Sequence, residues 1–168
     1  MSGSILVAYS SVYGSTQEVA AFLAEDLRKN EKEVDVRPAR EMRSLHGYTA
    51  VVLGAPLYMF HWQNDAHRFI VRFHVELEST PIAIFALGPF HNKEDELQNA
   101  RTTLDKELAK YDWLKPVATE VFVGKFDPAK LRFPYSLIGP LKKMPASDER
   151  DWNAISAWSK KLFELLDH

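Results

Sequence analysis

A short segment near the start of the chain carries the residue types and spacing best suited to chemistry. Between an apolar run ending at Tyr9 and a helix-like pattern starting at Thr16 lie Ser10, Ser11, Val12, Tyr13, Gly14 and Ser15. A helix start presents unpaired N–H groups and a partial positive charge, which suits a phosphate. The hydroxyls of Ser11, Ser15 and Thr16 can add donors, and Gly14 permits a sharp turn with close backbone approach. Two other nucleotide loops are excluded. No G-x-x-x-x-G-K-[ST] run occurs, and a dinucleotide fingerprint needs three spaced glycines where this loop has one. What remains is a mononucleotide phosphate held by amides and hydroxyls rather than by a cation. The plain alternative is a strand–helix turn whose serines are caps. Ser15 and Glu18 have the S-x-x-E spacing of a capping box, so Ser15 is expected to cap in either case.

The elements that position this segment alternate. Residues 4–10 read as a strand and 16–30 as a helix with Val19, Phe22, Leu23 and Leu27 on one face. Residues 33–37 alternate like a short strand, and 38–45 suggest a short helix with Pro38 in its first turn. Continuous apolar runs at 50–55, 81–87 and 117–123 read as buried strands. Helical patterns cover 64–77 (Ala66, Phe69, Ile70, Phe73 and Leu77 inward), 93–111 (Leu97, Ala100, Leu104 and Leu108 inward) and 148–166 (Trp152, Ile155, Trp158 and Leu162). Five strands alternating with helices, most of them continuous apolar runs, predict an α/β doubly wound parallel sheet covered on both faces. No repeat or long linker divides the chain, so residues 1–168 are expected to form one domain. Its long irregular stretch, about 124–147, is of a length usually tied to function or disorder.

Composition narrows the function. The chain has 168 residues, 46% of them hydrophobic, and a net charge of −2, which gives no global basic field for nucleic acid. Without cysteine there is no disulfide framework, thiolate metal site or Cys nucleophile. The six histidines are scattered. His67 and His74 share a helix face but lack the i, i+4 spacing of ligands, so no metal is expected and both read as surface or loosely packed. No Ser–His–Asp arrangement can be assembled. No secretory leader and no apolar run of about 18 residues is seen, so a cytoplasmic protein is expected.

The segment AYSSVYGSTQEVA resembles the phosphate loop of flavodoxins, a strand, then S/T-x-x-G-x-T, then a helix, with Ser11, Gly14 and Thr16 matching position for position. The resemblance implies a flavodoxin-like three-layer sandwich with a five-stranded parallel sheet of order 2-1-3-4-5 and helices on both faces. That order, with FMN at the switch between strands one and three, is the flavodoxin family's own. It further implies that Ser10, Ser11, Val12, Tyr13, Gly14, Ser15 and Thr16 wrap the FMN phosphate. The loops after the third and fourth strands would then flank the ring. Pro56, Leu57, Tyr58, Met59, Phe60 and His61 form the first, and Leu87, Gly88, Pro89, Phe90, His91 and Asn92 the second. Aromatic side chains following a buried strand suit stacking on a flat, partly apolar heterocycle. For Phe60 and Trp62 the alternative is a core position at the start of the next helix. For His91 it is a solvated loop.

Flavodoxins proper are acidic and usually place a glycine beside the ring. This chain is near neutral, sets His61 and His91 near the expected ring, and has no glycine in Tyr58-Met59-Phe60-His61. A histidine or its cation there favours the anionic reduced flavin, which leans toward two-electron chemistry. The C-terminal part resembles the bacterial menaquinone-dependent protoporphyrinogen IX dehydrogenase group, flavodoxin-like FMN proteins with a strand ending in Gly, a basic-aromatic insert, and a last helix opening with Asp-Trp. Gly124, the 133–135 region, Lys142–Lys143 and Asp151–Trp152 match in order. Pro134, Gly139 and Pro140 are expected to interrupt any helix in the insert.

The insert carries Lys125, Lys130, Arg132, Lys142 and Lys143 against Asp127, interleaved with Phe126, Leu131, Phe133, Tyr135, Leu137, Ile138 and Leu141. Such a segment suits an anionic membrane surface, where quinones reside, or a flat tetrapyrrole bearing carboxylates. Its alternative is a loop pinned by apolar side chains with its lysines in water. The expectation is an FMN-dependent oxidoreductase resembling quinone-dependent protoporphyrinogen IX dehydrogenase, with a quinone or protein electron acceptor, a tetrapyrrole substrate and peripheral contact with the inner membrane face. Two alternatives stay open: a flavodoxin-type electron carrier for a protein redox partner, and a flavin-free phosphate-binding domain. No side-chain acid or base is assigned to catalysis.

Overall fold

In the computed structural model, five strands form a parallel sheet: β1 (Ser4–Tyr9), β2 (Val34–Pro38), β3 (Tyr48–Tyr58), β5 (Ile82–Leu87) and β6 (Ala118–Phe122). The described residues are 3–11, 14–58, 60–126, 128–130, 137, 139–143 and 146–166. The strands lie in the order β2-β1-β3-β5-β6, which is 2-1-3-4-5 counting parallel strands alone. A two-residue strand, β4 (His61–Trp62), folds back antiparallel on the end of β3, pairing Leu57 with Trp62 and Tyr58 with His61.

Two cores separate across the sheet because successive strand side chains point to opposite faces. From β1, Leu6 and Ala8 join the core beneath α2 (Asn64–Arg72), α3 (His74–Leu77) and α4 (Glu94–Leu108). Ile5 and Val7 join the core beneath α1 (Ser15–Arg28) and α6 (Trp152–Leu165), with Val19, Leu23, Leu27, Ile155, Trp158 and Leu162. Gly54 of β3 faces Phe85 across the sheet, and a Cβ there would lie 1.9 Å from Phe85 Cζ, so the ring occupies the space a side chain would need. Trp158 meets Phe85 and Phe122 edge-on at 6.0 and 5.6 Å.

Several local expectations are corrected. The helix α1 starts at Ser15, with Gly14 as its N-cap and no side-chain cap bond, so the capping box does not form. Gly14 takes φ 92°, its N–H is accepted by Ser11 Oγ at 2.9 Å, and the Glu18 carboxylate turns away to Arg150. Residues 38–45 give one 3-10 turn at Ala39–Glu41, after which Met42 is extended. The expected 64–77 helix is two helices divided at Phe73 (φ −104°, ψ 26°), with no Gly or Pro to mark the break. All five of its inward positions are nevertheless buried. His67 is not a surface residue, since its side chain is mostly buried and both ring nitrogens are engaged. His74 stacks on Trp113 with ring centroids 3.8 Å apart. Gly139 and Pro140 open the short helix α5 (Gly139–Lys143) rather than interrupting one, consistent with proline's tolerance in a first turn.

Candidate functional site

Because β1, β3, β5 and β6 are parallel, the loops that follow them gather at one edge of the sheet. After β1, the Ser10 N–H donates to the Gly54 carbonyl at 2.9 Å. The Ser10 hydroxyl donates to Gln63 Oε1 at 2.6 Å, the same oxygen that accepts the Asp65 N–H at 2.6 Å to cap α2. Ser10 is therefore committed to joining this loop to the next one. Ser11 Oγ accepts the Gly14 N–H, which leaves its own proton available. Val12 and Tyr13 lie outside the described residues.

The first hydrogen bond of α1 runs from the Glu18 N–H to the Gly14 carbonyl at 3.1 Å, so the N–H groups of Ser15, Thr16 and Gln17 have no intrahelical acceptor. Thr16 is buried at the start of the helix. Among the described residues, and apart from its chain neighbours, no atom lies within 4 Å of the position a Cβ on Gly14 would take. Amides without an intrahelical acceptor, hydroxyls and open space beside a left-handed glycine fit an anionic ester.

After β3 the chain makes a tight hairpin. Pro56 is buried and its carbonyl accepts the Gln63 N–H at 3.1 Å, while Leu57 and Tyr58 are half-buried. Met59 lies outside the described residues. Phe60 has φ 68° and is 83% exposed, so its core alternative is overturned. Trp62 takes that role instead, 1% exposed with its indole N–H donating to the Ala55 carbonyl at 3.1 Å. His61 is exposed, with Nδ1 3.8 Å from Glu107 Oε1.

Following β5, Leu87 is buried, and Gly88 is needed for packing, since a Cβ would lie 3.0 Å from both Ala100 Cβ and Val121 Cγ1. The Pro89 carbonyl accepts the Gly124 N–H at 2.9 Å. The Phe90 ring packs on Phe126 at 4.7 Å, and the Phe90 carbonyl accepts Ser147 Oγ at 3.5 Å. His91 Nδ1 lies 3.7 Å from Glu96 Oε2, and Asn92 is exposed.

These contacts bring the insert to the same edge. Its two ends pair antiparallel as β7 (Lys125–Phe126) and β8 (Ser147–Asp148), forming a stem against the loop after β5. Leu137, within it, is exposed, whereas residues 127, 131–136, 138, 144 and 145 lie outside the described residues, among them Arg132 and the expected 133–135 match. Arg150 locks the stem. Its side chain is 4% exposed, donates to Asp148 Oδ1 and Oδ2 at 2.8 Å and to Glu18 Oε2 at 2.8 Å, and lies over the Trp152 ring. Hydrogen bonds from Arg150 hold the Asp148 carboxyl below its usual range.

Sequence reasoning missed Gln63, Arg150 and Glu107. Glu107 of α4 is a buried carboxylate, accepting His67 Nε2 at 2.7 Å, Lys110 Nζ at 3.0 Å and the Trp62 N–H at 3.1 Å. Burial pushes its carboxyl up, but the donors from Lys110, His67 and Trp62 outweigh that and hold it at about 2. An acid in step with Ala100, Leu104 and Tyr111, on the apolar side of a helical pattern, was the available signal for it. Its partner 45 residues away was not readable.

The sheet order and the amide-lined turn after β1 define a flavodoxin-type α/β protein. A family model described as Flavodoxin domain matches residues 6–148, and the chain belongs to that family, whose members typically bind FMN. Over its full length it is distantly related to protoporphyrinogen IX dehydrogenase [quinone] of Escherichia coli (strain K12), with 23% identity over 174 residues covering 96% of each chain. Among solved structures it is similar in fold to oxidised Flavodoxin 2 from Bacillus cereus (TM-score 0.58, 16% identity, 98% of this chain and 97% of that one). It is likewise similar to a flavodoxin from the domain Archaea (TM-score 0.61, 12% identity, 98% and 99%). Among the described residues, no helix is long and apolar enough to cross a membrane.

Proposed function

We propose that this chain is an FMN-dependent oxidoreductase acting like protoporphyrinogen IX dehydrogenase [quinone], with a porphyrinogen as donor and a quinone as acceptor. The observation that carries the reading is the turn at Gly14, where N–H groups of α1 that have no intrahelical acceptor border open space on the sheet's carboxyl edge. Similarity along the whole length to that dehydrogenase supports the choice of enzyme.

The N–H groups of Ser15, Thr16 and Gln17, with the hydroxyls of Ser11, Ser15 and Thr16, would hold the phosphate. Tyr58, Phe60 and His61 on the hairpin and Leu87–Asn92 after β5 would bound the ring. When bound, FMN supplies two-electron transfer between donor and acceptor. The protein's own contribution is position, exclusion of water and electrostatics. The insert stem, tied to the loop after β5, would bring basic and aromatic residues beside the ring's exposed edge for an anionic donor or a membrane-borne quinone.

The fold-level likeness to flavodoxins favours one competing reading, an electron carrier. The test is titration of FMN into apoprotein, followed by anaerobic assay with protoporphyrinogen and a menaquinone analogue. Quenched flavin fluorescence and two-electron turnover are expected. Unquenched fluorescence at high micromolar FMN refutes the cofactor. Binding without turnover, accompanied by one-electron exchange with a redox protein, supports the carrier.

A further inference from the structure

An ionised carboxylate is seldom buried unless several donors compensate it. Glu107, 6% exposed, has three, and one of them is not a side chain. It is the backbone N–H of Trp62, the second residue of β4, on the returning limb of the hairpin. His61, the preceding residue, lies 3.8 Å from the other carboxylate oxygen. The carboxylate is itself held in place. His67 Nε2 donates to it, which fixes a proton on that nitrogen because an ionised carboxylate only accepts. The other ring nitrogen of His67 is 2.5 Å from the Tyr111 hydroxyl. Side chains from α2, from α4 and from the segment after it thus converge on the carboxylate that accepts this backbone amide.

Packing alone does not call for this arrangement, since α2 and α4 already bury Ala66, Phe69, Ile70 and Leu104. What the network secures is the hairpin, and the hairpin needs securing. Phe60 at its tip has a positive φ, a conformation that costs a bulky residue of order 1–2 kcal/mol, and gains little in return because its side chain is in solvent. A strained, exposed aromatic turn above a buried, multiply bonded anchor is the pattern of a contact surface made rigid before its ligand arrives.

We infer that Glu107 is a positioning residue that fixes the Tyr58–His61 turn for contact with the flavin ring. The inference rests on the FMN reading above and adds to it the residue that sets the geometry of the ring side, as distinct from the phosphate side.

The test compares the full-length protein with Glu107→Gln and Glu107→Ala, using melting curves to confirm folding. The first readout needs no flavin. Amide hydrogen exchange over residues 57–63 is expected to accelerate about tenfold or more in Glu107→Ala, while exchange in α6 stays unchanged. The second readout is the pair of dissociation constants for FMN and riboflavin, which share the ring but not the phosphate. Both are expected to weaken by the same factor, about tenfold in Glu107→Ala, with Glu107→Gln between it and the parent.

Unchanged exchange in the hairpin overturns the inference whether or not flavin binds. So does a loosened hairpin with both affinities unaltered, a loss confined to FMN, or a parent protein that binds FMN but shows no riboflavin binding. A parent protein that binds neither ligand refutes the cofactor reading itself, and the two failures are thereby told apart.

Discussion

Replacing Gly14 by alanine separates the backbone cost of the turn from its role in binding. Gly14 has φ 92° and ψ −15°, in the left-handed region that favours glycine. Alanine there costs about 1–2 kcal/mol of conformational energy. The described residues add no steric term, since beyond the chain neighbours none has an atom within 4 Å of the new Cβ. In a protein of this size, about 1 kcal/mol moves Tm by roughly 2–4 °C, so a fall of about 2–8 °C is expected. The effect on ligand binding has a different origin. The added methyl enters the open space in front of α1. Any relaxation of φ also disturbs the bond from the Gly14 N–H to Ser11 Oγ, and with it the aim of the free amides. FMN affinity is therefore expected to fall by about tenfold or more, while riboflavin, which lacks the phosphate, changes by less than about threefold. The assay is flavin fluorescence titration with both ligands, beside thermal melts. Equal weakening of the two ligands, or unchanged FMN binding despite the expected drop in Tm, would refute the assignment of this turn to phosphate.

Three further outcomes are expected. Because the Glu107 carboxyl is held at about 2 against an ordinary 4.5, its contribution is complete above about pH 4.5 and is lost as pH falls toward 2. Acid melts should show a loss of order 3 kcal/mol over that range, absent from Glu107→Gln. Gly54→Ala drives a Cβ to 1.9 Å from Phe85 Cζ and should cost about 3 kcal/mol by denaturant titration, and a loss below about 1 kcal/mol counts against a ring fixed in that space. Charge reversal of Lys142 and Lys143 to Glu should weaken sedimentation with anionic vesicles while flavin stays bound, and unchanged sedimentation counts against membrane contact through the insert.

The sequence by itself determined the layers. The apolar runs at residues 5–8, 50–55 and 82–87 could only be buried strands, and the spacing of Val19, Leu23 and Leu27 or of Ile155, Trp158 and Leu162 could only be helical faces. The turn at Ser10–Thr16 was legible for the same reason, since its residue types and the helix after it lie within one local window. The local window also misled where a distant group intervened. The S-x-x-E pattern at Ser15 failed because Glu18 is drawn to Arg150, 132 residues away, and Gly14 takes the cap.

Only the tertiary structure decided how the site is held together. It joins Ser10 to Gln63 across 53 residues, Trp62 to Glu107 across 45, and the insert stem to the loop after β5 through Phe90 and Phe126. Each of these is a polar or aromatic contact between groups whose sequence neighbours give no hint of a partner. Periodicity records which face of an element is buried. It carries no record of which buried donor will meet which acceptor once the faces close, and that pairing exists only after the chain has crossed the sheet.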